Sequence, residues 1–222
     1  MTMPEPRDPG RDGTRARILD VGLRCFAQEG WSGATTRMIA SGAGVTLPVI
    51  SYHFGNKEGL HRACAEAIVE AYRAHMLPLA MAARTAADAE GLSRAGARGW
   101  LQRILESLVA GMSGTATGQL ETAFVLRELS EPGPGYELLL NELWKPGILL
   151  VADLIAAARG LPSAGEAERA AAMMLLASLT AYSTHAPVTM AILGWQGVDE
   201  TRRQMVAALA GRMLDGILAD PA

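Results

Sequence analysis

Residues 35–57, TTRMIASGAGVTLPVISYHFGNK, decide the fold. Thr35 or Thr36 can cap a short helix that carries Met38, Ile39 and Ala40, and residues 41–44, Ser-Gly-Ala-Gly, end that helix. Thr46 can cap a second short helix, and Pro48 lies in its first turn, where a missing N–H leaves no hydrogen bond unmade. The stretch therefore predicts two helices of about seven or eight residues, joined by a tight turn that contains glycine.

A third helix is predicted immediately upstream, beginning at Thr14 and ending at Gly30. Apolar or small residues recur on one of its faces at helical spacing: Ile18, Val21, Gly22, Cys25 and Phe26. Two short helices bury little apolar surface by themselves, so we expect the first helix to supply a third wall. The predicted shared core consists of Phe26, Ile39, Val45 and Ile50. Residues 14–60 are thus predicted to form a three-helix helix-turn-helix domain.

The second helix of the pair has an unusually apolar outer side. Val45, Ile50 and Phe54 are expected to face the core. The side chains predicted to point away from it are Leu47, Pro48, Val49, Ser51, Tyr52 and His53. A helix exposed only to water usually carries Lys and Glu there, whereas a helix in the major groove of DNA can contact thymine methyls and base edges with such residues. The alternative is that residues 47–49 pack on the rest of the protein.

Hydrogen-bond donors surround this helix, as contacts to DNA phosphates require. They are Thr36, Arg37, Thr46, Tyr52, His53 and Lys57. Asn56 is predicted to open the next helix, whose first backbone N–H groups offer a further anion site. Each threonine can also be an ordinary helix cap. The concentration of donors around one helix nevertheless favours DNA binding.

The composition is consistent with a helical protein that has one basic end. Half of the residues are hydrophobic and only 5% are aromatic, which favours helices over sheets. Residues 1–62 carry eight basic and six acidic side chains, and residues 63–222 carry twelve and seventeen. This distribution suits a protein that places one end on phosphates. No apolar run reaches the roughly 18 residues of a membrane span and no signal peptide is visible, so we expect a cytoplasmic protein.

Helical periodicity continues to the C-terminus, so the predicted fold class is all-α, with about nine helices. The helix that begins at Asn56 is expected to run to His75, with Pro78 disturbing its end. Further helices are predicted over residues 79–89, 93–113, 117–130, 135–159, 165–185 and 199–218. Pro146 is expected to kink the helix that contains it.

Residues 1–13 are rich in proline, glycine and charge and are predicted to be a disordered arm. Arg7 or Arg11 of such an arm can touch the DNA minor groove, and a tail without a role is the alternative.

Many residues between 15 and 60 occur at a fixed spacing: Arg17-Ile18-Leu19, Phe26, Gly30, Thr35-Thr36, Ile39-Ala40, Ala43-Gly44-Val45, Tyr52-His53-Phe54, Lys57-Glu58 and Leu60. This pattern resembles the TetR family of transcriptional regulators. Ser51 departs from it, because many members have tyrosine there. Leu47 and Val49 leave base readout without a strong hydrogen-bonding side chain, so we expect specificity to depend on methyl contacts and DNA shape.

The C-terminal part carries further matches: Phe124-Val125-Leu126-Arg127-Glu128, Pro132, Tyr136, Lys145-Pro146 and Gly194-Trp195. They are similar to the CecR-like branch of the family. The resemblance implies that residues 61–222 bind a small-molecule effector and form a homodimer. It also implies that the protein represses transcription by binding palindromic operator DNA and that the effector releases it from this DNA.

The candidate ligand-binding residues lie on the predicted helices between 93 and 185. They are Trp100, Ile104, Leu108, Met112, Phe124, Arg127, Tyr136, Trp144, Met174, Tyr182 and His185. Ordinary core packing is the alternative for each of them. Arg127 and Glu128 lie in an apolar helix, where a charge needs a partner. Arg127 is expected to meet either a carboxylate ligand or a carboxylate of the chain, namely Glu121, Glu131 or Glu142.

The resemblance places the homodimer interface on the helices near 165–185 and 199–218. Their apolar faces carry Ala170, Met173, Met174, Ala177, Leu179, Ala181, Met205, Leu209, Met213 and Ile217. Two DNA-reading heads on successive major grooves, roughly 34–36 Å apart, would read a palindrome. An effector that changes this spacing would lower the affinity for the operator.

Two other classes of protein are less consistent with the sequence. An enzyme is disfavoured, because there is no glycine-rich phosphate loop, no Gly-x-Ser-x-Gly and no His-Glu-x-x-His. His61 and Cys64 have metal-ligand spacing, but two ligands do not make a zinc site. The acidic body disfavours a non-specific architectural DNA binder. We expect no catalytic residue, cofactor or metal, and we expect Cys25 and Cys64 to be buried hydrophobic side chains, with a redox pair as the alternative.

Overall fold

Helix-forming residues dominate this chain, and every regular element that its computed structural model describes is a helix. The structure describes residues 9–90, 92–111, 116–182 and 187–219, with side chains for 13–86, 92–111, 117–182 and 188–219. The α-helices are α1 (Pro9–Gly33), α2 (Thr36–Ala43), α3 (Leu47–Phe54), α4 (Lys57–Glu90), α5 (Arg94–Gly111), α6 (Ala116–Ser130), α7 (Tyr136–Leu139), α8 (Lys145–Arg159), α9 (Glu166–Thr180), α10 (Pro187–Leu193) and α11 (Glu200–Ala219). None of these described residues forms a strand, so the predicted all-α fold class is confirmed.

The first helix begins earlier than predicted. It begins at Pro9, so residues 9–13 of the predicted arm are helical and Thr14 is not its N-cap. Proline is favoured in the first turn of a helix, where its missing N–H is not needed. Arg7 lies outside the described residues, as does the side chain of Arg11. The predicted stop at Gly30 is confirmed, since Gly30 has φ 71° and ψ 179°, which are not helical values.

Two helices of the remaining chain differ from the prediction. The predicted break near Pro78 is wrong, because α4 continues through this proline, from Lys57 to Glu90. Buried side chains on both sides of the proline, Met76 and Ala83, hold the helix in place while one backbone hydrogen bond is lost. The short helix α10 was missed, because its seven residues are too few for a periodic pattern.

The predicted irregularity near Pro146 is present as a π-helical turn, Leu140–Trp144, between α7 and α8. Pro146 lies in the first turn of α8 and has no N–H to donate to the carbonyl of Glu142. The backbone therefore widens by one residue in the preceding turn.

The structure divides the chain into two compact units. We call the first the head unit; it comprises the chain up to Val69 together with Leu120–Leu139. Its largest fully buried side chains are Ile18, Phe26, Ile39, Ile50, Leu60, Phe124 and Leu139. The second is the body unit, Glu70–Gln119 with Leu140–Ala222, and its core includes Leu101, Leu105, Ile155, Leu175 and Leu214. The head unit thus extends beyond the boundary that we expected at residue 60, and it takes in a segment from the middle of the chain.

Candidate nucleic-acid interface

A turn with fixed geometry joins α2 to α3. Thr35 caps α2, because its Oγ1 accepts a hydrogen bond from Met38 N at 3.2 Å. Gly44 ends α2 with φ 62°, a left-handed conformation that favours glycine. Arg17 Nε of α1 donates to the carbonyl of Ala43 at 2.8 Å. These contacts hold both ends of α2 and fasten the turn to α1.

The core side of α3 is as predicted in part. Ile50 is 1% exposed, and Phe26 and Ile39 of the predicted shared core are also buried. Val45 and Phe54 are only half-buried. The Phe54 ring instead lies under the guanidinium of Arg15, whose Cζ is 5.1 Å from the ring centroid.

The outer side of α3 is open. Leu47 is 41% exposed and Tyr52 is 64% exposed, and Pro48 and Ser51 are exposed as well. Val49 and His53 are half-buried, with the His53 ring edge-on to Tyr52 at 5.1 Å between centroids. Among the described residues, Leu47 and Pro48 are thus left exposed, whereas Val49, the third residue of the alternative in which residues 47–49 pack on the rest of the protein, is half-buried.

The predicted donors to phosphates lie on α2, on α3 and among the residues that flank α3. Arg37 and Thr46 are exposed and Thr36 is half-buried. Thr46 is the N-cap residue of α3, but its side chain makes no capping hydrogen bond. Asn56 caps α4 as predicted, since its Oδ1 accepts from Gly59 N at 2.8 Å.

Lys57 has a role that its sequence position did not indicate. Its Nζ donates to the carbonyl of Trp31 at 2.5 Å and lies 4.3 Å from the centroid of the Trp31 ring. The ammonium group therefore joins the start of α4 to the end of α1.

Arg127 of α6 meets the end of α1 in the head unit. Its Nε donates to the carbonyl of Ala27 at 3.3 Å, and its Nη2 donates to that of Gln28. These carbonyls lie just before Gly30, whose backbone is not helical. Of the carboxylates considered as possible partners of Arg127, Glu142 pairs with Arg73 of the body unit.

Glu128, the next residue, is buried beside His61 of α4. The two side chains are 3% and 2% exposed, and Glu128 Oε1 lies 3.4 Å from His61 Nε2. Gly133 N donates to Glu128 Oε2 at 3.3 Å. The His61 ring lies among three aromatic rings, with centroids 4.6 Å from Phe26, 5.1 Å from Trp31 and 4.7 Å from Phe124. The head unit therefore contains a polar pair enclosed by its aromatic core.

The metal and redox alternatives find no support in this region. Among the described residues, no group of three or more His, Cys, Asp or Glu side chains could hold a metal ion. Burial raises the pKa of the Cys64 thiol well above its ordinary range. Burial, and then the charge of Glu29, also raise the pKa of Cys25. Both thiols are therefore protonated and weakly reactive at neutral pH.

The candidate ligand-binding residues divide between the two units. Phe124, Arg127 and Tyr136 belong to the head unit, and the body unit holds Trp100, Ile104, Leu108, Trp144, Met174 and Tyr182. Ile104 is in the body core, and Trp100, Leu108 and Tyr182 pack against that core. Met174 is 71% exposed and Trp144 is half-buried in the π-helical turn. Met112 and His185 lie outside the described residues.

A small cavity in the body unit is lined by residues other than the predicted candidates. Its volume is about 190 Å³, and it is lined by Ala83, Arg84, Leu92, Leu150, Asp153, Leu154 and Ala157. None of the predicted candidates lines it. Its lining begins at Ala83, whereas the ligand-binding candidates were chosen from the predicted helices between residues 93 and 185.

Two family models match this architecture. The model of bacterial regulatory proteins of the tetR family matches residues 18–64, and that of the C-terminal domain of the HTH-type transcriptional dual regulator CecR matches residues 97–220, more than half of the chain. The chain belongs to the TetR family of bacterial transcriptional regulators, with the CecR type of C-terminal domain.

Relatives and solved structures agree with this placement. The HTH-type transcriptional dual regulator CecR of Shigella flexneri is 26% identical over 204 residues, 92% of this chain and 91% of that protein. A TetR-like regulator from Rhodococcus sp. RHA1 superposes with a TM-score of 0.66 at 16% identity, covering 96% of this chain and 100% of that chain. AibR, in complex with isovaleryl coenzyme A and operator DNA, has a TM-score of 0.64 at 16% identity, covering 90% and 97%. These structural likenesses show the fold.

Proposed function

We propose that this regulator is a homodimer that binds a palindromic operator, represses transcription there and is released by a small-molecule effector. The observation that carries the proposal is the open outer side of α3. The turn before α3 is held by the bond from Arg17, by the left-handed Gly44 and, at the start of α2, by the Thr35 cap. We expect Thr36, Arg37 and Thr46 to donate to phosphates, together with Tyr52, His53 and Lys57, whose ammonium also contacts Trp31. α3 is the element that would enter the major groove.

Exposed methionines on the last long helices support the homodimer. Met173 and Met174 on α9 are 52% and 71% exposed, and Met205 and Met213 on α11 are 49% and 43% exposed. Large apolar side chains in such numbers on neighbouring surfaces are typical of an interface. Leu179, which was predicted for this face, is instead buried in the body core. We propose that α9 and α11 meet their counterparts in a second copy.

The body cavity supports binding of a small effector. Its 190 Å³ lie below the usual range of ligand pockets, roughly 300–1,000 Å³, so it suits a compact compound. Its walls are mostly apolar, and they carry one cationic side chain, Arg84, and one anionic side chain, Asp153. AibR, which shares the fold, is described in complex with isovaleryl coenzyme A and operator DNA.

No described helix is both long and apolar enough to cross a membrane. We propose that the protein acts on DNA in the cytoplasm and has no enzymatic activity. Catalytic turnover by the purified chain would contradict the second statement.

A footprint on the DNA upstream of the chain's own coding sequence tests the proposal. We expect protection of a palindrome, and loss of that protection with one compound from an effector panel. Arg37→Ala should weaken binding and reduce its salt dependence, because one phosphate contact is lost. Arg103→Ala, which removes an exposed arginine of α5 in the body unit, is the matched control and should bind like the wild type. Binding without preference for any sequence would instead indicate an architectural protein.

A further inference from the structure

We propose that α3 identifies its operator by the 5-methyl groups of thymine, with Leu47 and Pro48 as the residues that contact them. This inference rests on the proposed function, because it requires α3 to enter the major groove. It goes further by stating which chemical group of the operator is recognised.

The residue types of α3 exclude the strongest direct contacts to bases. Bidentate readout uses Arg or Lys for guanine and Asn or Gln for adenine, and Asp or Glu accept from cytosine. The sequence of α3, LPVISYHF, contains none of these six residue types. Of its polar side chains, Ser51 and Tyr52 are exposed, and His53 is half-buried against the Tyr52 ring. Hydroxyl groups contact several bases and discriminate weakly between them.

The geometry of α3 exposes apolar side chains at its N-terminal end. Leu47 is 41% exposed, and Pro48 is exposed beside it. Ile50, which points the other way, is 1% exposed and anchors α3 in the core. The first residues of a recognition helix are those that reach the base edges. An apolar end at that position matches the one apolar group in the major groove, the pyrimidine 5-methyl.

Arg37 of α2 is a rival reader of bases in the same helix-turn-helix. Arg37 is exposed near the start of α2 and is able to contact guanine. Arg15 is engaged with the Phe54 ring, and Arg17 with the carbonyl of Ala43. The test must therefore separate methyl contacts of Leu47 from guanine contacts of Arg37.

The experiment replaces each thymine of the footprinted operator by deoxyuridine, one symmetric pair at a time. Deoxyuridine keeps the pairing and removes only the methyl group. Burial of one methyl corresponds to about 0.8 kcal/mol, or roughly a fourfold change in affinity, so a symmetric pair should cost roughly fifteenfold. We expect such a loss at one or two positions of each half-site, measured by fluorescence anisotropy with the full-length protein.

Variants assign the contact to its side chain. Leu47→Ala and Pro48→Ala should each bind the thymine operator more weakly, and the double variant should no longer distinguish thymine from deoxyuridine at the sensitive position. Leu129→Ala is the matched control, since Leu129 is 51% exposed on α6 of the same unit, and it should keep the full discrimination. Replacing the sensitive thymine by 5-methylcytosine should bind better than replacing it by cytosine, because only the former has the methyl group.

Several results would overturn the inference. Operator binding that is unaffected by deoxyuridine at every thymine removes it while leaving the proposed function in place. Discrimination that persists in the double variant Leu47→Ala/Pro48→Ala assigns the methyl contact to another residue. Replacing guanine by 7-deazaguanine removes the N7 acceptor that an arginine contacts. If only this replacement lowers the affinity, and Arg37→Ala abolishes its effect, the bases are read by Arg37. Failure to bind any sequence preferentially removes the inference together with the proposed function.

Discussion

Replacing Glu128 should destabilise the head unit far more than an ordinary salt-bridge substitution does. Its carboxylate is 3% exposed, lies 3.4 Å from His61 Nε2 and accepts from Gly133 N at 3.3 Å. Glu128→Ala leaves buried polar groups on His61 and Gly133 without this partner. Removing one member of a buried pair costs about 3–5 kcal/mol. Glu128→Gln keeps the volume and an acceptor for Gly133, so its cost should be about 1.5–3 kcal/mol, as for hydrogen bonds to charged groups.

The assay is urea unfolding followed by far-UV circular dichroism at one fixed protein concentration, because subunit association also contributes to stability. Asp215→Asn is the control. Asp215 pairs with Arg98 at 2.5 Å, but the two side chains are 52% and 50% exposed, and such a pair contributes about 0–1 kcal/mol. Equal losses for Glu128→Ala and Asp215→Asn would refute the reasoning that burial sets the cost.

Four further predictions concern other parts of the chain. Gly44→Ala should lower the free energy of unfolding by about 1–2 kcal/mol in the same assay, because φ is 62° at this position. An added Cβ meets no atom within 4 Å, so the cost is one of backbone conformation and not of a clash. An unchanged urea midpoint would contradict this. Bonds from the N–H groups of Gly165 and of Glu168 itself, and then from Arg159, lower the pKa of Glu168. The Glu168 carboxylate therefore contributes stability above the ordinary Glu pKa, and this contribution is lost as pH falls through the lowered pKa. Glu168→Gln should lose less free energy of unfolding than the wild type between pH 5 and 3. Parallel curves of unfolding free energy against pH for the two proteins would contradict this. Met174→Glu should convert the dimer to a monomer in sedimentation velocity, whereas Leu149→Glu, on α8 and 40% exposed, should not; a dimer in both variants would move the interface away from α9. Cys64, which is 1% exposed and has a raised pKa, should react with iodoacetamide only after unfolding, and rapid labelling in the native protein, read by mass spectrometry, would contradict the burial described above.

Local sequence signals predicted the DNA-reading part of the fold well. The starts of α2 and α4 depend on side-chain caps at Thr35 and Asn56, and the end of α2 depends on Gly44. Such signals act over three or four residues and are visible in the sequence. The open outer side of α3 was predictable for the same reason, since the periodicity of an eight-residue helix fixes which side chains face the core.

Long-range packing was not predictable in this way. The continuity of α4 through Pro78 depends on core contacts of its flanking residues, which override the local preference of proline. The partners of Arg127 are backbone carbonyls about a hundred residues earlier in the chain, and no spacing in the sequence indicates them. The carboxylates considered as partners were chosen for their opposite charge, whereas the acceptors observed are backbone carbonyls close to Gly30. The body cavity was not predicted, because Ala83, Arg84 and Leu92 of its lining precede the helices from which the candidates were chosen.

The central claim is that α3 directs this regulator to one palindromic sequence. The most direct measurement is the affinity of the purified protein for the footprinted palindrome and for a scrambled DNA of equal length and composition, at one salt concentration. We expect the palindrome to be bound about 10³-fold or more tightly than the scrambled DNA. Leu47→Ala should lower the affinity for the palindrome and leave the affinity for the scrambled DNA unchanged. Equal affinities for the two DNAs would contradict this claim.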